Sequence, residues 1–190
     1  MEFFMKKIFI VVGRSGAGKS TLCEELEHYF NCPLFSFKSM ATKYANENGY
    51  STLREHYSSM DFDKYKILVS EYILNVLTEQ LNKNDVVIID GLYIDTVVEK
   101  LENNYNCTII YLQTDDVIRY ERIAQRMSMS IEEAKRENEL RTKSTTKLGR
   151  DVIIEKANYI IDGNKSKDEV FLTAKKYIEN CIYEMDYTIE

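Results

Sequence analysis

The chain has one proline, no tryptophan, two histidines and four cysteines in 190 residues. The histidines, His28 and His56, are too few and too far apart for a metal site built on imidazole. The cysteines, Cys23, Cys32, Cys107 and Cys181, show no Cys-x-x-Cys pair and no framework spacing, which points to reduced thiols in a cytoplasmic protein. No apolar run approaches the ~20 residues of a membrane helix. Nothing near the start resembles a signal peptide, because Met1–Lys7 runs directly into an apolar strand. A net charge of −6 argues against a broad nucleic-acid or anionic-membrane surface, either of which wants a basic face. There is no internal repeat and no low-complexity tract.

What is present is ordinary globular material, 44% apolar and 29% charged, of a length that suits one domain. Only seven glycines occur, and three of them fall in Gly13-Arg14-Ser15-Gly16-Ala17-Gly18-Lys19-Ser20-Thr21. A glycine, four residues, then Gly-Lys-Ser/Thr is the phosphate-loop pattern. Its context fits. Ile8-Phe9-Ile10-Val11-Val12 before it is apolar and β-branched, as a buried parallel strand is. Leu22, Leu26, Tyr29 and Phe30 behind it recur at helical spacing.

A bound triphosphate needs backbone N–H groups aimed at it, and glycine lets the chain approach and turn without a Cβ clash. The helix that starts at the loop's end adds its unpaired N–H groups and dipole. Lys19 then serves the β- and γ-phosphates of ATP, and the Ser20 hydroxyl ligates Mg²⁺.

Further along, Pro33–Phe37 reads as a second strand and Met40–Asn48 as a weak helix. Tyr50–Asp63 has no clean period and reads as a loop. Phe62–Lys83 has the longest helical face. Asp85–Gly91 is a third strand, 96–102 a helix and Cys107–Leu112 a fourth strand. Asp115–Arg126 is helical, and Ser130-Ile131-Glu132-Glu133 opens a charged helix through about Lys143. Asp151–Lys156 is a short helix and Asn158–Asp162 a fifth strand. A last helix begins at the Ser166–Glu169 capping box. Strands alternating with helices in this way imply an α/β fold with a parallel sheet covered on both faces and the ligand at the strands' C-terminal ends.

Other residues carry chemistry by position. Asp90 ends an apolar strand, the place of a carboxylate that binds Mg²⁺ beside the loop. Arg119, Arg122 and Arg126 share one helical face, with Arg136, Arg141 and Arg150 following. Residues 119–150 hold nine Lys/Arg against five Asp/Glu, a basic segment in an acidic protein. Arginine forks of this kind stabilise a transferring phosphoryl group. Asn82-Lys83-Asn84-Asp85 matches a guanine-reading motif, but it closes a helix before the third strand and is rejected.

At this point the chain resembles the small-molecule P-loop kinases of the nucleoside monophosphate kinase group, with cytidylate, adenylate and dephospho-CoA kinases nearest in pattern. The resemblance rests on Gly13–Thr21, Val86–Gly91, Arg119–Arg126, Ser130–Ala134 and Ala157–Asn164. It implies a P-loop fold with strand order 2-3-1-4-5 in a single domain over residues 1–190. An acceptor-binding insertion would span about 36–63 and a helical lid about 127–150.

It also implies ATP and Mg²⁺, with Arg14, Ser15, Ala17, Thr21 and Arg119 joining the donor site and Arg122, Arg126, Arg136 and Arg141 acting in the transfer. Ser36, Lys38, Arg54, His56, Tyr57 and Tyr93 are the candidates for the acceptor. The acceptor is a small molecule, with a nucleoside monophosphate favoured and a hydroxyl acceptor such as dephospho-CoA or a nucleoside as the alternative. A P-loop ATPase acting as a switch is the competing class. The protein is expected to be a monomer or homodimer.

Overall fold

The structure, a computed structural model, describes residues 6–183; the expectation that rests on residues 1–5 lies outside them. The chain runs β1 (Lys7–Val12), α1 (Lys19–Phe30), β2 (Leu34–Ser36), α2 (Phe37–Glu47), α3 (Leu53–Ser58), α4 (Phe62–Leu81), β3 (Val86–Asp90), α5 (Asp95–Glu102), β4 (Asn106–Gln113), α6 (Asp116–Met127), α7 (Ile131–Leu148), α8 (Arg150–Glu155), β5 (Tyr159–Asp162) and α9 (Lys167–Tyr183). All strand pairs are parallel, in the order β2-β3-β1-β4-β5. The strand order is that expected from the sequence.

The period-2 alternation of a strand explains how one sheet serves two cores. Ile8, Ile10 and Val12 face one cluster with Val87 and Ile89, covered by α4 and α5. Phe9, Val11 and Ile88 face the other, covered by α1 and α9. Along α4, Tyr65, Val69, Ile73, Leu77 and Leu81 recur every four residues and lie at 3% exposure or less. Each such side chain contributes about 1.5–3 kcal/mol by leaving water, whereas exposed ion pairs such as Lys83–Glu79 give ~0–1 kcal/mol. The two cores therefore hold the sheet, and the sheet holds the site.

The structure departs from the expectations in three places. Helix α2 begins at Phe37, because the Ser36 hydroxyl caps it by accepting from the Ser39 N–H. The stretch read as a loop contains α3, capped by Thr52, whose buried face is His56 among tyrosines rather than an aliphatic stripe. Helix α7 continues five residues beyond Lys143, to Leu148. Its Ser144 and Thr145 hydroxyls bond back to the Arg141 carbonyl, and Gly149 at φ +114 stops it.

Candidate active site

Strand β1 delivers the chain to the sheet's C-terminal edge, where residues 13–18 turn into α1. Two of the glycines there are sterically required. A Cβ on Gly13 would lie 2.6 Å from the Leu112 carbonyl oxygen. At Gly16, with φ +82, a Cβ would meet the Arg119 carbonyl oxygen at 2.5 Å. The phosphate loop thus rests directly on the backbone of β4 and α6. Helix α1 starts at Lys19 behind the N-cap Gly18, which carries no side chain to cap it, so its first N–H groups remain for a ligand.

The chemistry-bearing side chains converge here. Lys19 Nζ donates to the Arg14 carbonyl at 3.1 Å and lies 5.9 Å from the Tyr93 ring centroid. The β1–β3 register pairs Val11 with Asp90, which sets that carboxylate beside the loop. Ser20 Oγ donates to Asp90 Oδ2 at 2.7 Å. A hydroxyl and a carboxylate this close form a hard-oxygen donor pair suited to Mg²⁺, which typically takes one or two protein oxygens and completes its shell with phosphate and water. No cluster of three or more His, Cys, Asp or Glu capable of holding a metal occurs among the described residues.

Side chains also grip the loop's carbonyls. Arg119 Nη1 donates to the Ser15 carbonyl at 2.8 Å. Arg122 Nη1 and Thr114 Oγ1 donate to the Ala17 carbonyl at 3.1 and 3.2 Å. Tyr93 Oη donates to the Gly13 carbonyl at 2.7 Å. In a planar trans peptide the C=O and the following N–H point in opposite directions. Pinning the Ser15 and Ala17 oxygens toward α6 and β4 therefore turns the N–H groups of Gly16 and Gly18 the other way. The loop's donors are oriented by what holds its acceptors.

The remaining candidates are distributed as follows. Arg14 is exposed and pairs with Asp116 at 3.9 Å. Arg122 also donates through Nη2 to the Gly163 carbonyl, tying the loop to the end of β5. Arg126 and Arg136 are exposed on α6 and α7, while Arg141 pairs with Glu137 at 3.0 Å. Arg150 is buried and bonds to Thr145, Thr146 and Asp151. Thr21 is exposed and Ala17 is buried.

On the acceptor side, Ser36 is in register with Asp90, and Lys38 is exposed in the first turn of α2. Tyr93 reaches the loop and packs edge-on against Phe37, 6.0 Å between centroids. Arg54, His56 and Tyr57 belong to α3. Arg54 is exposed there, and Tyr57 packs against Phe62 and Tyr65.

His56 is only 1% exposed. It stacks on Tyr50 at 4.4 Å with Tyr44 and Tyr65 around it, and its Nδ1 has no hydrogen-bond partner among the described residues. The structure therefore packs this histidine between helices instead of beside Lys19. Burial pushes its pKa below the ordinary 6.5. A depressed histidine contributes stability that is present above its unfolded pKa and lost as the pH falls from there toward the folded value. Urea unfolding at pH 7.5 and 5.5 is expected to show lower stability at 5.5, with His56→Phe reducing the difference. An unchanged difference in the variant would assign the pH dependence to other groups.

The profile of the AAA domain family matches residues 9–146, which runs from the phosphate-loop strand through most of α7. The chain belongs to the AAA domain family. A search of curated proteins returns no match. Among solved structures, a shikimate kinase from Bacteroides thetaiotaomicron superposes with a TM-score of 0.67 at 16% identity, over 92% of this chain and 99% of that one. A gluconokinase from Sinorhizobium meliloti 1021 gives 0.63 at 15% identity over 100% of both chains. A shikimate kinase from Aquifex aeolicus vf5 gives 0.58 at 19% identity, over 91% of this chain and 96% of that one. At these identities the likeness is one of fold, and the fold is that of the P-loop kinases.

Two residues of this AAA domain protein, Thr114 and Asn138, lie at the site without having been singled out in sequence, and Gly163, part of the Ala157–Asn164 segment, joins them there. Thr114, just past β4, holds the Ala17 carbonyl. Gly163 leaves room for it, since a Cβ there would meet Thr114 Oγ1 at 2.0 Å. Asn138 reaches Arg119 from the buried side of α7. A lone polar residue after a strand or inside a charged helix carries no pattern of its own. Among the described residues no helix is long and apolar enough to cross a membrane.

Proposed function

We propose that this AAA domain protein is an ATP-dependent phosphotransferase that moves the γ-phosphoryl group of ATP to a small anionic acceptor, best matched by a nucleoside monophosphate. The observation that carries the reading is the 2.7 Å hydrogen bond from Ser20 to Asp90 beside Lys19 and the phosphate loop. Ser20 and Asp90 would hold Mg²⁺. Bound there, the ion would supply positive charge to offset the negative charge of the phosphates. Lys19 supplies a mobile cation to the β- and γ-phosphates, and the loop's N–H groups supply fixed dipoles already oriented by Arg119, Arg122 and Thr114. An acceptor oxygen attacks the γ-phosphorus, the bond to the β,γ-bridging oxygen breaks, and ADP leaves with that electron pair. Residues 127–150, with exposed Arg136 and half-buried Arg141, would close over the transfer and exclude water.

The surroundings of the carboxylates support this acceptor class. A hydroxyl acceptor needs a base within hydrogen-bond reach, whereas a monophosphate brings an ionised oxygen. Asp90 is engaged with Ser20. Asp95, the next carboxylate along, pairs with Lys66 at 2.8 Å and accepts from the Thr96 N–H. Lys38, exposed in the first turn of α2, and Ser36, level with Asp90, suit an anionic acceptor.

The shikimate kinase and gluconokinase likenesses make hydroxyl-bearing acids the necessary controls. Initial rates of ADP formation should be measured with ribo- and deoxynucleoside monophosphates, nucleosides, dephospho-CoA, shikimate and gluconate. A monophosphate is expected to raise the rate well above that with no acceptor. Stimulation by hydroxyl acceptors only would overturn the acceptor assignment, and equal rates throughout would favour a switch ATPase.

A further inference from the structure

We infer that Arg119 is a positioning residue through which α7 sets the geometry of the phosphate loop. The inference rests on the reading of residues 13–21 as a nucleotide site. Arg119 is the largest fully buried side chain among the described residues, at 1% exposure. A buried guanidinium must be paired and hydrogen-bonded. Its one carboxylate partner, Asp116, is 56% exposed and also faces Arg14 of the loop. The other interactions are unlike those of a stabilising surface arginine. Nη1 donates both to the Ser15 carbonyl, at 2.8 Å, and to Asn138 Oδ1 on α7, at 3.4 Å. Nε is buried with no hydrogen-bond partner among the described residues.

The main chain makes the same junction. The Arg119 carbonyl oxygen lies 2.5 Å from where a Cβ on Gly16 would sit, so backbone and side chain of one residue flank the Ser15–Gly16 peptide. That peptide's N–H points away from the Arg119 fork because its C=O points toward it. Whatever moves the fork tilts the N–H.

Asn138 is what can move it. This residue is 5% exposed in a helix otherwise rich in exposed charge, and the only other buried residues of α7 are Ala134 and Leu148. A buried amide on an amphipathic helix costs stability unless its bonds are made, and its oxygen takes one from the same nitrogen that holds the loop. The 3.4 Å contact is long, and the vacant Nε leaves the guanidinium a donor in reserve. A shift of α7 toward α6 therefore has a direct mechanical route to the Gly16 N–H, through one side chain. Position of α7 and readiness of the phosphate loop become a single variable.

The test is hydrogen–deuterium exchange of the nucleotide-free protein over residues 13–20, together with binding of Mg²⁺·AMP-PNP by calorimetry. Asn138→Ala is expected to speed exchange in this segment and weaken nucleotide binding about five- to tenfold, with the β1 and β3 amides unchanged. Asn138→Asp, which keeps an oxygen acceptor for the fork, is expected to restore both. Arg119→Lys, which keeps the charge on Asp116 but loses the fork, should resemble Asn138→Ala. Wild-type exchange at residues 13–20 in Asn138→Ala would overturn the inference. So would loss of protection spread equally through β1 and β3, which marks a merely structural role. Should the wild type bind no AMP-PNP, the nucleotide reading fails, and the exchange measurement still decides whether α7 governs the loop.

Discussion

Lys19→Ala is expected to lower phosphoryl transfer by at least about 10³-fold while leaving the fold intact. Cation contacts to a transferring phosphoryl group in a water-poor site contribute on the order of 10³–10⁵ in turnover. Lys19 is the cation that the N-cap at Gly18 and the loop place at that point. Its ammonium donates to the Arg14 carbonyl and lies over the Tyr93 ring, so the side chain sits at the site without crossing the core. Neither contact is large in energy. One hydrogen bond at a half-buried position nets about 0.5–1.5 kcal/mol, which the two cores easily absorb. Circular dichroism and thermal unfolding of the variant should match the parent, with turnover absent. Near-parental turnover in a folded variant would remove the phosphate loop from the reaction.

Asp90→Asn is expected to cost roughly 10²–10³-fold in turnover and to raise the Mg²⁺ concentration needed for half-maximal rate. The substitution is close to isosteric, and an amide oxygen still accepts the Ser20 hydroxyl now held at 2.7 Å. Shape and hydrogen bond survive; the charge is lost. An effect on the Mg²⁺ titration therefore reports charge on the metal and nothing else in the loop. Strand β3 is buried on both faces up to that residue, so the carboxylate's position is set by the sheet and not by the loop it serves. A superimposable Mg²⁺ titration would make Asp90 a turn residue before Gly91.

Much of this was legible in the sequence, for identifiable reasons. Strands β1, β3 and β4 are apolar runs because both sheet faces are covered, and such runs are hard to mistake. The placement of Asp90 beside the phosphate loop was legible because the motif and the strand end fix particular residue types at particular spacings. Helix α3 was not, because its buried side is a histidine between tyrosines, and aromatic packing has no period that separates it from a loop. The end of α7 was missed because Ser144, Thr145 and Thr146 read as helix-poor until their hydroxyls are seen bonding within and beside the helix. The six arginines looked alike in sequence. Tertiary structure separates them: Arg119 and Arg122 grip the loop's carbonyls, Arg150 is buried within α8's start, and Arg126 and Arg136 stay exposed. Periodicity reports which face a residue is on, but not whose carbonyl lies opposite.

The γ-phosphoryl group is expected to leave ATP for an acceptor molecule. Phosphorus NMR of the protein with Mg²⁺, ATP and a panel of nucleoside monophosphates tests it most directly. The γ-phosphate resonance is expected to be lost at the rate at which a new phosphoanhydride resonance grows on the acceptor, with little inorganic phosphate, and both changes are expected to vanish in Lys19→Ala. Release of inorganic phosphate at one rate, with or without any acceptor, would contradict it.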